Sequence, residues 1–156
     1  EEREKILINL EREDAEEVKE LLKYEDETVG SIMSKEFISV NLNITIGDTV
    51  EILREMKPDE EAMYYVYITD EEENIEGVIP IKDLILYSPE TKIKEIMDTT
   101  VSRVKHDDEI NKVIEKAAKY DLISVPVTDE NDKLIGIVII HDIVDEFLYP
   151  LWKKKN

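Results

Sequence analysis

The sequence predicts an α+β fold: two tandem β-α-β-β-α repeats behind an N-terminal helical segment. Three observations predict it. Tyr120–Phe147 reads as strand, acidic turn, strand and helix. Ile123, Val125 and Val127 alternate with Ser124, Pro126 and Thr128, Asp129–Asp132 is turn chemistry, and Leu134–Ile140 is nearly all apolar. That stretch has an earlier copy, Met63–Leu86. Thr69–Asp70 matches Thr128–Asp129, Gly77 matches Gly136 and Asp83 matches Asp142, all offset by 59 residues. Further upstream Ile32–Met33 matches Ile96–Met97 and Val50 matches Ile114, offset by 64. One local length change of 5, around Pro58–Ala62, reconciles the two offsets, so the chain reads as an internal duplication.

The elements follow in chain order. Residues 1–24 carry two apolar clusters at helical spacing, Ile6, Leu7 and Leu10, then Val18, Leu21 and Leu22. Tyr24–Met33 is a connector into a helical turn. In the first repeat, residues 25–90, Phe37–Val40 is a short β run. A helix from about Thr45 to Lys57 carries Ile46, Val50, Leu53 and Met56 on one face and stops at Pro58. Tyr64–Thr69 and Glu76–Pro80 form a hairpin, and Asp83–Tyr87 is a short helix. In the second repeat, residues 91–147, Ile93–Met97 is a helical turn and Val101–Val104 a short strand. Ile110, Val113, Ile114, Ala117 and Ala118 stripe a helix, and the hairpin and a helix opened by His141–Asp142 complete it, with Ile143, Val144 and Phe147 inward. Residues 148–156 read as a polar tail. One repeat alone leaves a face of its sheet bare; two can close a shared core.

Composition narrows the function. Of 156 residues, 42% are hydrophobic, enough for a core despite 38% charged residues. The net charge of −19 repels phosphate backbones and anionic lipid and favours cations or basic partners. Cysteine is absent, which removes disulfide and thiol chemistry and fits a reducing compartment. No apolar run approaches the roughly 18 residues of a membrane helix. Two separated histidines, His106 and His141, do not make a zinc set. No nucleophile–base pair or glycine-rich phosphate loop is present, so the sequence argues against an enzyme.

Gly77…Asp83 and Gly136…Asp142 at the last strand–helix junctions, with the openings Ile32–Met33 and Ile96–Met97, resemble a tandem CBS-domain pair, the Bateman module. Tyr24–Val40, Met63–Ile85 and the span Ile93–Asp145 are similar to the cytosolic part of MgtE-type magnesium transporters. The resemblance covers about Glu13 to Asp145. It implies a cytoplasmic, magnesium-sensing regulatory module of a membrane transporter, a homodimer gating ion entry by Mg2+-dependent compaction. In that family the short helices make the dimer contact, and Leu84 and Ile85, or Ile143 and Phe147, are the apolar side chains to cover.

The resemblance implies regulatory magnesium contacts at Glu109, Ala118 through its backbone carbonyl, Asp121, Asp142 and Asp145. The chemistry agrees: Mg2+ takes oxygen ligands and keeps several waters, so one or two carboxylates from each of two surfaces suffice. Asp142 and Asp145, three apart, share a helix face and repel one another until a cation intervenes. The plainer reading of the same residues is a helix start at Asp142 beside a solvated Asp145. Two alternatives stand beside the magnesium module: a CBS pair sensing an adenine nucleotide, and a dimerising protein-interaction module. The nucleotide is disfavoured, because Pro80 and Ile139 stand where the family pattern puts a hydroxyl three residues before Asp83 and Asp142.

Overall fold

The computed structural model describes residues 27–155, so the helical segment expected over residues 1–24 lies outside it. A helical turn α1 (Val29–Ile32) leads to β1 (Ile38–Asn41), α2 (Ile46–Met56), β2 (Tyr65–Thr69) and β3 (Ile75–Pro80). A 3-10 turn, Ile81–Leu86, closes the first repeat, and another, Ile93–Glu95, opens the second. Then come β4 (Val104–Lys105), α3 (Ile110–Tyr120), β5 (Ser124–Thr128), β6 (Leu134–Ile139), α4 (Ile140–Ile143) and α5 (Tyr149–Lys155). Two three-stranded sheets result, ordered β1-β2-β3 and β4-β5-β6. In the first, β1 runs parallel to β2, with Ile38 opposite Val66, and β2 runs antiparallel to β3, with Tyr67 opposite Val78.

The backbone repeats as the side chains do. Among the described residues, four that are not glycine adopt positive φ: Lys57, Glu73, Asp121 and Asp132. They are two repeat-equivalent pairs, since Lys57 and Asp121 differ by 64 positions and Glu73 and Asp132 by 59. The first pair closes α2 and α3; the second sits in the two hairpin turns. The change of offset falls where expected, and the extra residues form the 3-10 turn Glu60–Ala62.

The chain forms two compact units, and they do not follow the repeats. One holds Ser34–Ser102 with the hairpin tip Thr128–Gly136; the other holds, of the described residues, those up to Met33, Arg103–Val127 and those from Ile137. The opening turns are exchanged. Val29 N–H donates to Asp108 O at 2.9 Å and Gly30 N–H to His106 O at 2.7 Å, so the first repeat's opening lies against the start of the second repeat's helix. Ile93 N–H donates to Ile44 O at 2.9 Å, and Ile46 N–H to Thr91 O at 2.8 Å, the mirror arrangement. The pairings Thr28–Glu109 and Thr45–Lys92 are equivalents of each other. Met97 of the second opening covers Gly77 so closely that a Cβ there would collide with its side chain.

The first unit's core contains Ile38, Val40, Ile46, Val66, Ile68, Ile79, Leu84 and Ile93. In the second unit Val104, Ile110, Val113, Val125 and Ile143 are buried. Several side chains depart from expectation. Met56 is exposed, because α2 needs only Ile46 and Thr49 fully inside. Ala118 is exposed, since Ile110, Val113, Ile114 and Ala117 already fill the stripe of α3. Leu84 and Ile143, expected to need a partner chain, are buried within this one. Residues 149–155, read as a polar tail, are helical. Between α4 and α5 the helix widens into a π turn, Val144–Leu148. The extra residue of that turn rotates the register, so Leu148 is buried and Phe147 only half-buried.

Candidate cation site at the end of the second repeat

Burying Ile110, Val113, Ile114 and Ala117 fixes the roll of α3 and hence what its ends present. The N-terminal end is Glu109, exposed, in extended backbone, with no cap bond from its side chain. The C-terminal end is Asp121, in left-handed backbone with φ 54° and ψ 50°. Its N–H donates to Ala117 O, and Leu122 N–H donates to the same oxygen at 3.0 Å. Neither cap bond therefore uses the carbonyl of Ala118, one of the last four of the helix, which have no intrahelical partner.

Two features of Asp121 run against ordinary helix chemistry. Left-handed backbone at a helix end favours glycine. An anion at the negative end of a helix is repelled by the dipole, where a cation would gain about 0.3–1 kcal/mol. Asp121 and the Ala118 carbonyl thus place two oxygens at the negative end of the helix, whose last turn carries the cation Lys119.

The strand β5 leaves this corner, and α4 returns to it. Ile140 N–H donates to Ile123 O at 2.9 Å, which ties the start of α4 to the loop two residues beyond Asp121. Asp142 follows on α4, half-buried; Asp145 and Glu146 follow on the π turn, both exposed. The Asp142 carboxyl is raised above its ordinary pKa. Burial contributes most, then the charges of Glu146 and Asp145, against an opposing effect of His141. π turns recur at functional sites because they re-aim side chains within a helix.

The five expected contacts therefore divide. Asp121, Ala118, Asp142 and Asp145 belong to the C-terminal end of α3 and the helix returning to it. Glu109 stands apart: twelve residues of helix at about 1.5 Å each put it roughly 18 Å from Asp121, too far to share one ion. Glu146 was not among the residues singled out from the sequence. Its spacing of four from Asp142 was the signal available. Among the described residues no group of three or more His, Asp or Glu side chains is placed to hold a metal ion by itself. All the donors are oxygens, which suits Mg2+, and such an incomplete set is filled by water or by a second surface.

For an adenine nucleotide, Asp83 and Asp142 are both half-buried at the ends of the last strands, while Pro80 and Ile139 bring no hydroxyl. Among the described residues no helix is long and apolar enough to cross a membrane.

Two sheets related by a duplication, each flanked by short helices, define the class. The CBS domain model matches residues 29–90 and 93–149, and the chain belongs to that family as a tandem pair. It is similar to the magnesium transporter MgtE of Enterococcus faecalis, 42% identical over 133 residues, covering 85% of this chain and 29% of that protein. The Thermus thermophilus magnesium transporter MgtE is 36% identical over 129 residues, covering 83% of this chain and 29% of that protein. The chain thus spans less than a third of these curated relatives. Among solved structures it resembles the cytosolic domain of the Mg2+ channel MgtE in complex with ATP, at TM-score 0.74 and 36% identity, covering 79% of this chain and 50% of that one. It also resembles the soluble part of a magnesium transporter, at TM-score 0.73 and 42% identity, covering 89% and 54%.

Proposed function

We propose that this chain is the cytosolic, magnesium-sensing regulatory module of an MgtE-type magnesium transporter, without catalytic activity of its own. The observation that carries the reading is the corner at Asp121: an anion in left-handed backbone at the negative end of α3, beside a bypassed Ala118 carbonyl, with Asp142, Asp145 and Glu146 on the returning helix. The likeness to the cytosolic domain of the Mg2+ channel MgtE and to the soluble part of a magnesium transporter supports it. The module works as a homodimer. Apolar surface for that contact is offered by Ile85, 87% exposed, Leu86, 72% exposed, and Tyr87. Mg2+ binds best when acidic surfaces are brought together, so it favours the compact arrangement. Rising cytosolic magnesium would then reduce its own entry. Glu109, at the other end of α3, serves a separate contact.

The test is thermal melting with scattering mass, in MgCl2 and in NaCl at matched ionic strength. Screening of like charges is common to both salts. A site in the folded state adds a further increment, about 2.7 kcal/mol when the ion exceeds its Kd roughly 100-fold. Equal melting shifts in the two salts, with a monomer mass throughout, would remove this reading.

An adenine nucleotide is the second reading. The solved MgtE relative is in complex with ATP. Asp83 and Asp142 could reach a ribose, but the missing hydroxyls at Pro80 and Ile139 leave the phosphate side bare. Titration with ATP and AMP in the same melting assay separates the two readings.

A further inference from the structure

Cysteine is absent, so the four methionines hold the chain's only sulfur atoms. They stand in different surroundings. Met56 and Met63 are exposed, at 48% and 38%. Met97 is half-buried and packs against the first unit's core. Its side chain lies along β3 at Gly77, where a Cβ would meet Met97 Sδ, Cγ and Cβ together. The thioether thus occupies the room that any other residue at position 77 would need for its own side chain. Glycine inside a strand marks such a close approach, and an unbranched, flexible methionine can follow a bare backbone. The chain around Met97 is tied down. Met97 N–H donates to Ile93 O at 3.1 Å, and Ile93 is fully buried. One residue on, Val78 N–H donates to Asp98 O at 3.0 Å and Asp98 N–H to Val78 O at 2.9 Å. The second repeat's opening therefore covers the outer edge of β3, with the Met97 sulfur inside the contact.

We propose that Met97 is a modification site: a hydroperoxide oxidises its thioether to the sulfoxide, and the sulfoxide releases the second repeat's opening from Gly77 and the edge of β3. The step balances. A sulfur lone pair takes one peroxide oxygen, the O–O bond breaks, and water leaves, or an alcohol where the peroxide is organic. Sulfur is oxidised by two electrons and the peroxide reduced by two. The product is polar where the thioether was apolar. Held in a dry contact, its oxygen needs a hydrogen-bond donor to offset lost hydration. The nearest backbone donors, Val78 and Asp98 N–H, are already committed to each other's carbonyls. The new acceptor is satisfied by water, and reaching water means leaving β3. Sulfoxides at Met56 and Met63 stay hydrated where they form, so oxidation there leaves the fold unchanged. The change at Met97 is undone by enzymatic reduction of the sulfoxide. A chain without thiols thereby gains a reversible response to oxidants, independent of any bound ion.

The experiment treats the whole chain with hydrogen peroxide in metal-free buffer. Oxidation of each methionine is mapped by peptide mass spectrometry, and stability is read by thermal melting. Exchange of the Val78 and Asp98 amides reports the contact itself. The parent is compared with Met97→Leu and with a triple variant, Met33→Leu, Met56→Leu and Met63→Leu, whose sole methionine is Met97. Met56 and Met63 are expected to oxidise first without moving the melting temperature. Oxidation of Met97 is expected to lower it by about 2–8 °C and to speed exchange at Val78 and Asp98, in the parent and the triple variant alike. Methionine sulfoxide reductase is expected to restore both, and Met97→Leu to keep its untreated values in peroxide. Should Met97→Leu fail to fold, mapping and amide exchange on the triple variant decide the matter alone. Three results would each overturn the proposal. One is a Met97 that stays reduced once Met56 and Met63 are fully oxidised. Another is an oxidised Met97 with unchanged exchange at Val78 and Asp98. The third is a Met97→Leu chain that loses as much stability in peroxide as the parent.

Discussion

The first repeat is tightly specified at its helix start and open at its end; the second reverses this. Thr45 and Asp48 form a reciprocal capping box on α2, with Asp48 N–H donating to Thr45 Oγ1 at 3.1 Å and Thr45 N–H to Asp48 Oδ2 at 3.2 Å. Glu109, the equivalent of Thr45, makes no such bond. At the other end, repeat 1 stops in the 3-10 turn Ile81–Leu86 with Ile85 and Leu86 in solvent. Repeat 2 runs on through α4 and the π turn and buries Ile143, Val144 and Leu148. The two copies agree in what fixes the backbone and differ in what meets the surroundings. Surface chemistry is thus where each copy's task is written, and the shared core is what holds it.

That division can be broken most directly in the core. Ile46 and Ile110 are repeat equivalents, each 2% exposed. Ile46→Ala and Ile110→Ala should each cost about 2–5 kcal/mol in urea unfolding, because both leave a cavity that the neighbours only partly fill. A near-neutral result at one of them would mean that the two cores are not equivalent.

The exchange of opening turns comes next. Gly77→Ala should cost about 1–3 kcal/mol, because the added methyl must displace Met97. Combining it with Met97→Ala should recover part of the loss, read as a coupling in a double-mutant cycle. Strict additivity would deny the contact. A smaller effect separates the helix starts: Thr45→Ala should cost about 1 kcal/mol through the lost cap, whereas Glu109→Ala in metal-free buffer should stay within about 0.5 kcal/mol.

The smallest effect is in pH. Asp142 has a raised folded pKa, so its ionised form is disfavoured by the fold, and that penalty is fully present above the folded pKa. As pH falls through that value the carboxyl protonates and the penalty goes. In metal-free buffer, the parent should therefore gain on Asp142→Asn as the pH is lowered into the weakly acidic range. Asp70 works in the other sense. The backbone N–H of Asn74 holds its carboxyl below the ordinary value, so its contribution is present above the unfolded pKa and lost as pH falls through the folded one. Melting curves of Asp142→Asn and Asp70→Asn across pH should diverge from the parent in opposite directions.

Much of the fold was legible in the sequence because duplication leaves side-chain marks. Gly77 and Gly136, Asp83 and Asp142, and the shift of offset at Pro58–Ala62 gave the repeats and placed the one insertion. The exchange of opening turns left no such mark, since it is made by backbone bonds such as Val29 N–H to Asp108 O. The π turn was hidden for the same reason. Apolar residues on short helices do not reveal which way they face: Leu84 reads as surface and is core, and Ile143 reads both as inward and as a partner contact and is core. Alanine fits either side of a helix, which is why Ala118 was counted with the buried stripe. The separation of Glu109 from Asp121 was readable from helix length alone. The value of Asp121 was not: it depends on left-handed backbone and on two N–H groups sharing Ala117 O.

The central claim is that designated carboxylates, and not a diffuse acidic surface, answer magnesium. Calorimetric titration with MgCl2 of Asp121→Asn, Asp142→Asn, Glu72→Gln and Glu130→Gln tests it directly. Asp121 and Asp142 sit on backbone held by α3, α4 and the Ile140–Ile123 bond, so binding there costs little ordering. Glu72 and Glu130 ride on exposed hairpin turns. The account predicts a loss of about tenfold or more in apparent affinity for the first two, the equivalent of about 1.4 kcal/mol, and near-parent isotherms for the others. Equal losses across all four variants would contradict it.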